Sequence, residues 1–314
     1  MPFINARLAL LGLVMSAGVS AIKIVLFGTA TGFTLRAFEE LASHELVVAV
    51  VLSGPSRRGW RDLLPRLRSN SPLECAAHAR MIPIIRLTDA NESAVGEQLS
   101  SLRPDVICIA TFPRLIPREI FALAPLGAIN LHPSLLPRHR GPLPLFWTYY
   151  ADDRVSGVTV HHASQVFDAG DIILQEHFAL PRAYPAAKLN EDVGLRGAAL
   201  LRSAVRALAR AQAPRVVQDE GAATIAPRVR PGVPMVRFHE WDVERVWHFM
   251  AGLSPRFREP LIDNEGHPVL YRTVTGFQRR CSSVPGSVES IGNGWKLHCR
   301  GGVVLLGGRD SEHP

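Results

Sequence analysis

Short apolar runs alternate with amphipathic segments over the first two thirds of the chain. Residues 22–28 form an apolar run that ends in glycine, residues 29–44 place apolar side chains at helical spacing, and residues 45–54 form a second apolar run. Apolar runs of this length are typical of buried parallel strands, and the spacing between them predicts a helix. This β-α-β beginning predicts a doubly wound, Rossmann-like α/β domain.

The same pattern continues to residue 212 and then changes, so we place the first domain at residues 22–212. Residues 213–234 are rich in proline and arginine and lack periodicity, which predicts a linker. Residues 235–314 begin with one amphipathic helix, predicted at residues 238–253, and continue as short β segments separated by Asn, Gly and Pro turns. This pattern predicts a small, OB-like β-barrel as the C-terminal domain. Further strands and a closing helix of the first domain are predicted at residues 104–110, 127–131, 157–163, 171–180 and 186–212.

Residues 1–21 precede the first predicted strand and form an N-terminal extension. One arginine, an apolar centre and a small-residue end resemble a secretory signal peptide. We favour the alternative that the start codon is placed too far upstream and that Met15 is the true start, because the sequence that follows is typical of a cytoplasmic enzyme. No apolar run is long enough to span a bilayer, so we expect no membrane partner.

The formal net charge of +7 is compatible with a polyanionic partner. Lysine occurs only at positions 23, 188 and 296, so the excess of arginine reflects compositional bias more than selection for nucleic acid. One local cluster of five arginines stands out within twelve residues: Arg57, Arg58, Arg61, Arg66 and Arg68. The four cysteines are widely separated and contain no C-x-x-C pair, which favours reduced thiols in the cytoplasm and gives no zinc pattern.

Three polar residues are the candidate chemical site. Asn130 and His132 end an apolar run and are two residues apart, so in a strand both side chains lie on one face. Asp168 lies in a Phe-Asp-Ala-Gly-Asp turn that the fold must bring alongside. An amide, an imidazole and a carboxylate at one point can polarise a carbonyl, hold an oxyanion and move a proton, which is the chemistry of acyl transfer.

The motifs around these residues resemble the folate-dependent formyltransferases. They are N-x-H-P-S-L-L-P-x-x-R-G from Asn130, G-V-T-V-H from Gly157 and D-A-G-D-I from Asp168. The resemblance runs from Ile22 to the end of the chain and implies 10-formyltetrahydrofolate as co-substrate, without a metal. It also implies folate contacts from Phe112, Arg114, Leu115, Ile116, Pro117 and Val166.

The resemblance implies a role for each catalytic candidate. A protonated His132 would stabilise the formyl oxygen and later protonate the departing N10, while Asn130 would donate a second hydrogen bond. Asp168 would raise the pKa of His132 and accept the proton of the attacking amine. We expect no catalytic part for Ser134, or for His139, His161 and His162.

The acceptor of the formyl group is less determined than the reaction. The β-rich C-terminal domain and the arginine cluster favour initiator methionyl-tRNA, bound in part by Arg57, Arg58, Arg61, Arg138 and Arg140. The H-P-S form of the motif and the Phe146-Trp147 pair are more similar to the branches of the family that act on nucleotide-linked amino sugars. A hydrolase that releases formate from the folate is a further alternative, and so is a non-catalytic tRNA-binding relative.

Overall fold

The computed structural model describes residues 21–54, 71–230, 233–255, 261–262, 266–279 and 284–308. The predicted N-terminal extension, apart from its last residue, and the cluster from Arg57 to Arg68 lie outside these residues.

A seven-stranded sheet with the order β3-β2-β1-β4-β5-β6-β7 forms the centre of the first domain. The pairs among the first five strands of this order are parallel, whereas β6 pairs antiparallel with β5, and the edge strand β7 pairs antiparallel with β6. The order reverses direction between β1 and β4, which is where open α/β sheets bind their ligands. The strands are β1 Lys23–Gly28, β2 Leu46–Ser53, β3 Ile84–Leu87, β4 Val106–Ala110, β5 Ala128–His132, β6 Val155–His162 and β7 Ile172–Ala179.

The helices of this domain cover both faces of the sheet. Ser71 begins α2 with a reciprocal capping box to Glu74, and Thr31 caps α1 through Thr34. The longest helix, α6, was predicted at residues 186–212 and ends three residues earlier. The helices are α1 Gly32–His44, α2 Pro72–Ala79, α3 Glu92–Leu102, α4 Arg118–Phe121, α5 Pro144–Tyr150 and α6 Ala186–Ala209.

Alternate residues of β1 belong to two separate cores. Ile24 and Leu26 pack with Phe38 on one face of the sheet, while Val25 and Phe27 pack with the other face. Because a strand buried on both faces has no polar side, β1 appears in the sequence as a continuous apolar run. Full burial of each of these side chains contributes roughly 1.5–3 kcal/mol before entropic costs. The doubly wound prediction is confirmed.

The C-terminal module combines one helix with antiparallel strands. Helix α7, Val243–Leu253, begins at a side-chain cap from Asp242, five residues later than the apolar pattern predicted. Phe249 of α7 packs edge-to-face on Phe146 of α5 at 5.4 Å, which joins the module to the first domain. The strands are β8 Leu261–Ile262, β9 Pro268–Val269, β10 Thr273–Arg279, β11 Val288–Ile291, β12 Gly294–Cys299 and β13 Gly302–Gly307. The last four form a sheet in the order β10-β13-β12-β11, which confirms the predicted β-rich module.

Residues 215–227, within the predicted linker, run along the first domain, and we call them the strap. The strap has little regular structure: a 3₁₀ turn at Glu220–Ala222 and isolated bridges from Val216 to Ile172 and from Ile225 to Arg140. Both bridges reach segments that carry the candidate site. The non-periodic sequence therefore corresponds to a docked segment.

Three arginines of α6 are already neutralised by acids. Arg202 pairs with Glu40 at 2.6 Å and Arg206 with Glu45 at 2.8 Å, and Arg196 pairs with Glu176. This helix face is therefore a network of surface ion pairs. Within the described part of the chain, no helix is both long and apolar enough to cross a membrane.

Candidate active site

Strand β5 delivers two of the predicted residues to the carboxyl edge of the sheet. Asn130 and His132 lie on the same face, and the strand ends at His132. The register places Asn130 opposite His161 of β6, and His132 opposite Thr159. Pro133 follows directly, and the chain then enters a proline-rich loop. The prediction that both side chains enter one cleft is consistent with this geometry.

Asp168 joins them from the turn between β6 and β7. Its Oδ1 accepts a hydrogen bond from Asn130 Nδ2 at 3.0 Å, and its Oδ2 accepts from the Gly141 amide at 2.9 Å. Its backbone has a φ of 55°, in the left-handed region that non-glycine residues rarely adopt. Gly170 packs so tightly that an added Cβ would lie 1.8 Å from the His162 carbonyl oxygen. The turn therefore holds Asp168 in one position against β5.

The buried ring of His132 lies between a carbonyl and a carboxylate. Nε2 is 2.9 Å from the His139 carbonyl oxygen, and Nδ1 is 3.5 Å from Asp168 Oδ1. Because a carbonyl can only accept, the neutral ring carries its proton on Nε2 and leaves Nδ1 free for another proton. Once both nitrogens are protonated, each faces an acceptor.

Burial decides the resting charge of His132. Burial lowers the pKa of His132, and this outweighs the opposing effects of Asp168 and of the His139 carbonyl. The predicted effect of Asp168 is present in the expected direction, but the expected protonated state of His132 loses support, because removing an imidazolium from water costs more than one carboxylate at 3.5 Å restores. The ring is therefore neutral in the resting protein.

Asp168 is ionised at all physiological pH values. Burial alone would raise its pKa, but His132, His161 and the Gly141 amide outweigh burial and hold the pKa at about 2. A carboxylate with so low a pKa is a poor proton acceptor, so the expectation that Asp168 accepts the proton of the amine loses support. Asp168 instead supplies a fixed negative charge beside His132.

His161, which was expected to have no catalytic part, contacts two members of the candidate triad. Its Nδ1 donates to the His162 carbonyl at 2.8 Å, so its Nε2 is unprotonated and accepts from Asn130 Nδ2 at 3.0 Å. Nε2 is also 3.6 Å from Asp168 Oδ1. The signal that could have found it is the cross-strand pairing of the two β runs, which puts His161 directly opposite Asn130.

The loop after β5 closes the site from the other side. His139, which was expected to have no part, supplies the carbonyl that holds His132, and its own ring pairs with Asp153 at 2.7 Å. Arg138 also pairs with Asp153, at 2.6 Å, and is about half exposed. Arg140 is buried and bonds to Gln218 and Glu220 of the strap. Since its guanidinium is already occupied, the structure does not favour the prediction that Arg140 contacts the acceptor, which stays a prediction.

The predicted folate contacts fall into two groups. Phe112 packs edge-to-face on Phe27 at 5.3 Å, Ile116 is buried in the core, and Arg114 pairs with Asp89 and Glu92. By contrast, Leu115 and Val166 are 48% and 66% exposed, and Pro117 directly precedes α4. All six folate contacts stay predictions, and the exposed side chains of Leu115 and Val166 are the most open to direct contact with a ligand.

Two further points complete the site. Arg57, Arg58 and Arg61 lie outside the described residues, so their predicted contact with the acceptor stays a prediction.

Among the described residues, no group of three or more histidine, cysteine or acidic side chains is arranged to hold a metal ion.

A comparison with protein-family models finds a match to the part of the chain that contains the candidate site. The family model described as formyl transferase matches residues 22–205, which include the whole candidate triad. This chain belongs to the formyl transferase family. The predicted resemblance is thereby confirmed, and the protein is an enzyme of this class.

Relatives with assigned names extend the similarity beyond the first domain of this formyl transferase. The methionyl-tRNA formyltransferase of Syntrophus aciditrophicus is 31% identical over 292 residues, covering 92% of this chain and 91% of that protein. The methionyl-tRNA formyltransferase of Moorella thermoacetica is 31% identical over 235 residues, covering 74% of this chain and 73% of that protein. The similarity to the Syntrophus aciditrophicus protein therefore includes most of the strap and of the C-terminal module.

A solved structure shares the fold. The N-formyltransferase from Helicobacter canadensis, in complex with folinic acid and dTDP-3-aminofucose, superposes with a TM-score of 0.67 at 16% identity. The match covers 91% of this chain and 99% of that chain. At this identity the comparison concerns the fold alone.

Proposed function

We propose that this formyl transferase moves the formyl group of 10-formyltetrahydrofolate to the amino group of methionyl-tRNA. The observation that carries the proposal is the similarity to a methionyl-tRNA formyltransferase over nine tenths of both chains, together with the Asn130–His132–Asp168 geometry. The folate donor follows from the motif resemblance.

The neutral state of His132 sets the order of proton movements. The amine attacks the formyl carbon, the new C–N bond forms, and the carbonyl electrons move to the oxygen. The amine proton passes to Nδ1 of His132, where the imidazolium is stabilised by Asp168 and by the His139 carbonyl. The oxyanion electrons then re-form the carbonyl as the N10–C bond breaks, and the same proton is donated to N10, so His132 begins and ends neutral.

Asn130 is the donor placed for the developing oxyanion. In the resting site both amide hydrogens are used, one by Asp168 and one by His161, each at 3.0 Å. Donation to the formyl oxygen requires the exchange of one of these bonds when the donor binds. The bond to the neutral His161 is the weaker of the two, because Asp168 carries a full charge. Loss of an oxyanion donor costs about 2.7–4 kcal/mol of barrier.

An acceptor comparison tests the proposal. The purified protein and 10-formyltetrahydrofolate are incubated with charged methionyl-tRNA, with a nucleotide-linked amino sugar, or with water alone, and the formylated product or free formate is quantified. We expect formyl-methionyl-tRNA as the main product. Transfer to the amino sugar alone would replace the acceptor, formate release alone would indicate a hydrolase, and no reaction in any arm would contradict the proposal as a whole.

The amino-sugar arm has a structural motivation as well. The Helicobacter canadensis enzyme shares the fold over almost its whole length and binds a nucleotide-linked amino sugar. The sequence pair Phe146-Trp147, on which the alternative depends in part, lies in α5. Trp147 Nε1 donates to the Pro227 carbonyl at 2.9 Å, and Phe146 packs on α7. Both side chains therefore have a packing role in this protein, so the pair alone does not favour the amino-sugar acceptor.

A further inference from the structure

The strap is attached at two points to the two segments that build the active site. Near its start, the Val216 amide donates to the Ile172 carbonyl at 3.0 Å and the Ile172 amide donates back to the Val216 carbonyl at 2.8 Å, next to the Asp168 turn. Near its end, the Arg140 amide donates to the Thr224 carbonyl at 2.8 Å and the Ala226 amide to the Arg140 carbonyl at 2.6 Å. The strap lies beyond residue 205, where the match to the family model ends.

Gln218 lies between these two attachments and uses every hydrogen-bonding position of its side chain. Its Nε2 donates to the carbonyls of Asp168 and Gly170, at 2.8 and 2.7 Å. Its Oε1 accepts from Nε and a terminal nitrogen of Arg140, at 3.0 and 2.9 Å. An amide has two N–H donors and one oxygen with two lone pairs, so the side chain is fully satisfied. It is only 5% exposed, and losing a partner would leave a buried polar group unpaired.

The two loops that Gln218 joins also hold the catalytic groups from opposite sides. The loop of Arg140 supplies the His139 carbonyl to His132 and the Gly141 amide to Asp168. The turn of Asp168 holds a non-glycine residue at a φ of 55°, a conformation that persists only where its surroundings fix it. One donor of Gln218 bonds to the carbonyl of that same residue, and the other bonds to the Gly170 carbonyl in the same turn. The distance between His132 Nδ1 and Asp168 Oδ1 therefore depends on both loops keeping their separation.

We propose that Gln218 is a positioning residue for formyl transfer, acting through the Asp168 turn and the Arg140 loop to set the His132–Asp168 geometry. A residue outside the family domain then helps to position the catalytic groups. It lies in the strap, the segment that leads from the first domain to the C-terminal module. The inference rests on the proposed formyl transfer, whichever amine is the acceptor.

Substitutions in the full-length protein separate positioning from packing. Gln218→Met keeps the length of the side chain and removes all four hydrogen bonds, whereas Gln218→Glu keeps an acceptor toward Arg140 and removes both donors to the Asp168 turn. The control is Val217→Ala, the neighbouring strap residue, which is 79% exposed. We expect both Gln218 variants to lose kcat, by about 10²-fold for an ångström of misplacement, with KM for the folate changed less than about twofold. The control should match the wild type.

The pH profile provides the readout that a merely structural role would not move. Because Asp168 favours the charged form of His132, its withdrawal should shift the acid limb of kcat/KM for Gln218→Met to lower pH. A Gln218→Glu variant with wild-type kcat overturns the inference, and so does a Gln218→Met variant whose loss of activity only follows the loss of folded protein, with an unchanged profile. If the wild type transfers no formyl group to any amine, the proposed function fails instead, which is a separate outcome.

Discussion

At the scale of single residues, the charge of Asp168 is the feature most open to test. Asp168→Asn keeps the size of the side chain and removes the fixed negative charge beside His132. We expect kcat to fall by about 10²–10⁴-fold, the range of a lost proton-transfer arrangement, with little change in folding. Steady-state kinetics and circular dichroism on the same preparations check this.

The matched control for that substitution is three residues away. Asp171 pairs with Arg215 at 3.2 Å and belongs to the same turn, so Asp171→Asn removes an equal charge outside the triad. Asp171→Asn should retain turnover close to that of the wild type. A fully active Asp168→Asn variant would remove this carboxylate from the mechanism.

The state of His132 gives a pH dependence with a definite sign. Its pKa is lowered by burial, and the mechanism needs the neutral ring to accept the amine proton. The kcat/KM for the folate donor should therefore rise with pH along an acid limb and level off below the ordinary pKa of 6.5. A rate that increases as the pH falls through this range would show that the protonated ring is the active form. Stability measured over the same range separates catalysis from unfolding.

Residue spacing was sufficient to find Asn130 and His132 but not their partners. Two residues in one strand share a face by geometry alone, and the family motif added Asp168. His161 was missed because a contact across antiparallel strands depends on register, which the turn between them sets. The resting charge of His132 could not be predicted from the sequence either, because the cost of burying a charged ring depends on how several elements pack around it.

At the scale of elements, the loop of residues 133–143 joins β5 to α5 and depends on glycine at one point. Gly141 has a φ of 121°, and an added Cβ would lie 2.9 Å from the Ala226 carbonyl oxygen of the strap. Its amide also donates to Asp168. Gly141→Ala should therefore destabilise the fold by about 1–3 kcal/mol and lower kcat as well. Urea unfolding and steady-state kinetics check both effects.

Gly96 provides the opposite case for comparison. It lies inside α3, and an added Cβ meets no atom within 4 Å. Gly96→Ala should stabilise the protein by up to about 1 kcal/mol, because alanine favours the helix and no neighbour must move. Equal effects of the two substitutions would show that the strap does not restrict the loop.

Strands and helices followed from periodicity because each has an apolar face that must be buried. The strap has no such periodicity and was therefore predicted as a linker. Its contacts are made by backbone groups and by single polar side chains such as Gln218, and these leave no repeating signal. The prediction that α7 begins near residue 238 failed for a related reason. The apolar pattern continues outside the helix, and the cap at Asp242 decides where the helix starts.

At the scale of the whole molecule, a buried histidine marks the junction between the first domain and the C-terminal module. His248 of α7 stacks on Tyr149 of α5 at 5.1 Å, and its Nδ1 accepts from the Ala183 amide at 2.8 Å. Burial, with Arg154 and Arg182, lowers its pKa to about 4, against the smaller opposite effect of Asp153. Asp152 is also near, with Oδ1 at 4.0 Å from Nε2. The folded protein therefore holds this ring neutral.

This junction should make the protein sensitive to mild acid. A histidine whose folded pKa is depressed contributes stability above its unfolded pKa of 6.5, and the contribution is lost as the pH falls toward about 4. The loss amounts to roughly 3 kcal/mol, so the free energy of unfolding of the wild type should fall more steeply between these pH values than that of His248→Gln. His177→Gln, which removes an exposed histidine of β7, is the matched control. Parallel curves for wild type and His248→Gln would contradict this account.

The identity of the formyl acceptor is also a question at the scale of the whole molecule. The arginine cluster from Arg57 to Arg68 provides a test of it. We expect the combined substitution of Arg57, Arg58 and Arg61 by alanine to raise KM for methionyl-tRNA and to flatten its salt dependence. Each lost phosphate contact should reduce the slope of log K against log salt by roughly 0.7–0.9. KM for the folate should change little, since the three substitutions leave Asn130, His132 and Asp168 unchanged.

The control for this experiment removes the same charge elsewhere. Arg196, Arg202 and Arg206 of α6 are already paired with acids, so their replacement by alanine changes the net charge equally without removing free cations. If both triple variants weaken tRNA binding alike, only the overall charge matters. If the first leaves KM and the salt slope unchanged, the arginine cluster takes no part in binding the acceptor. That result, combined with transfer to the amino-sugar nucleotide, would assign this formyl transferase to a small-molecule acceptor while leaving its chemistry at His132 intact.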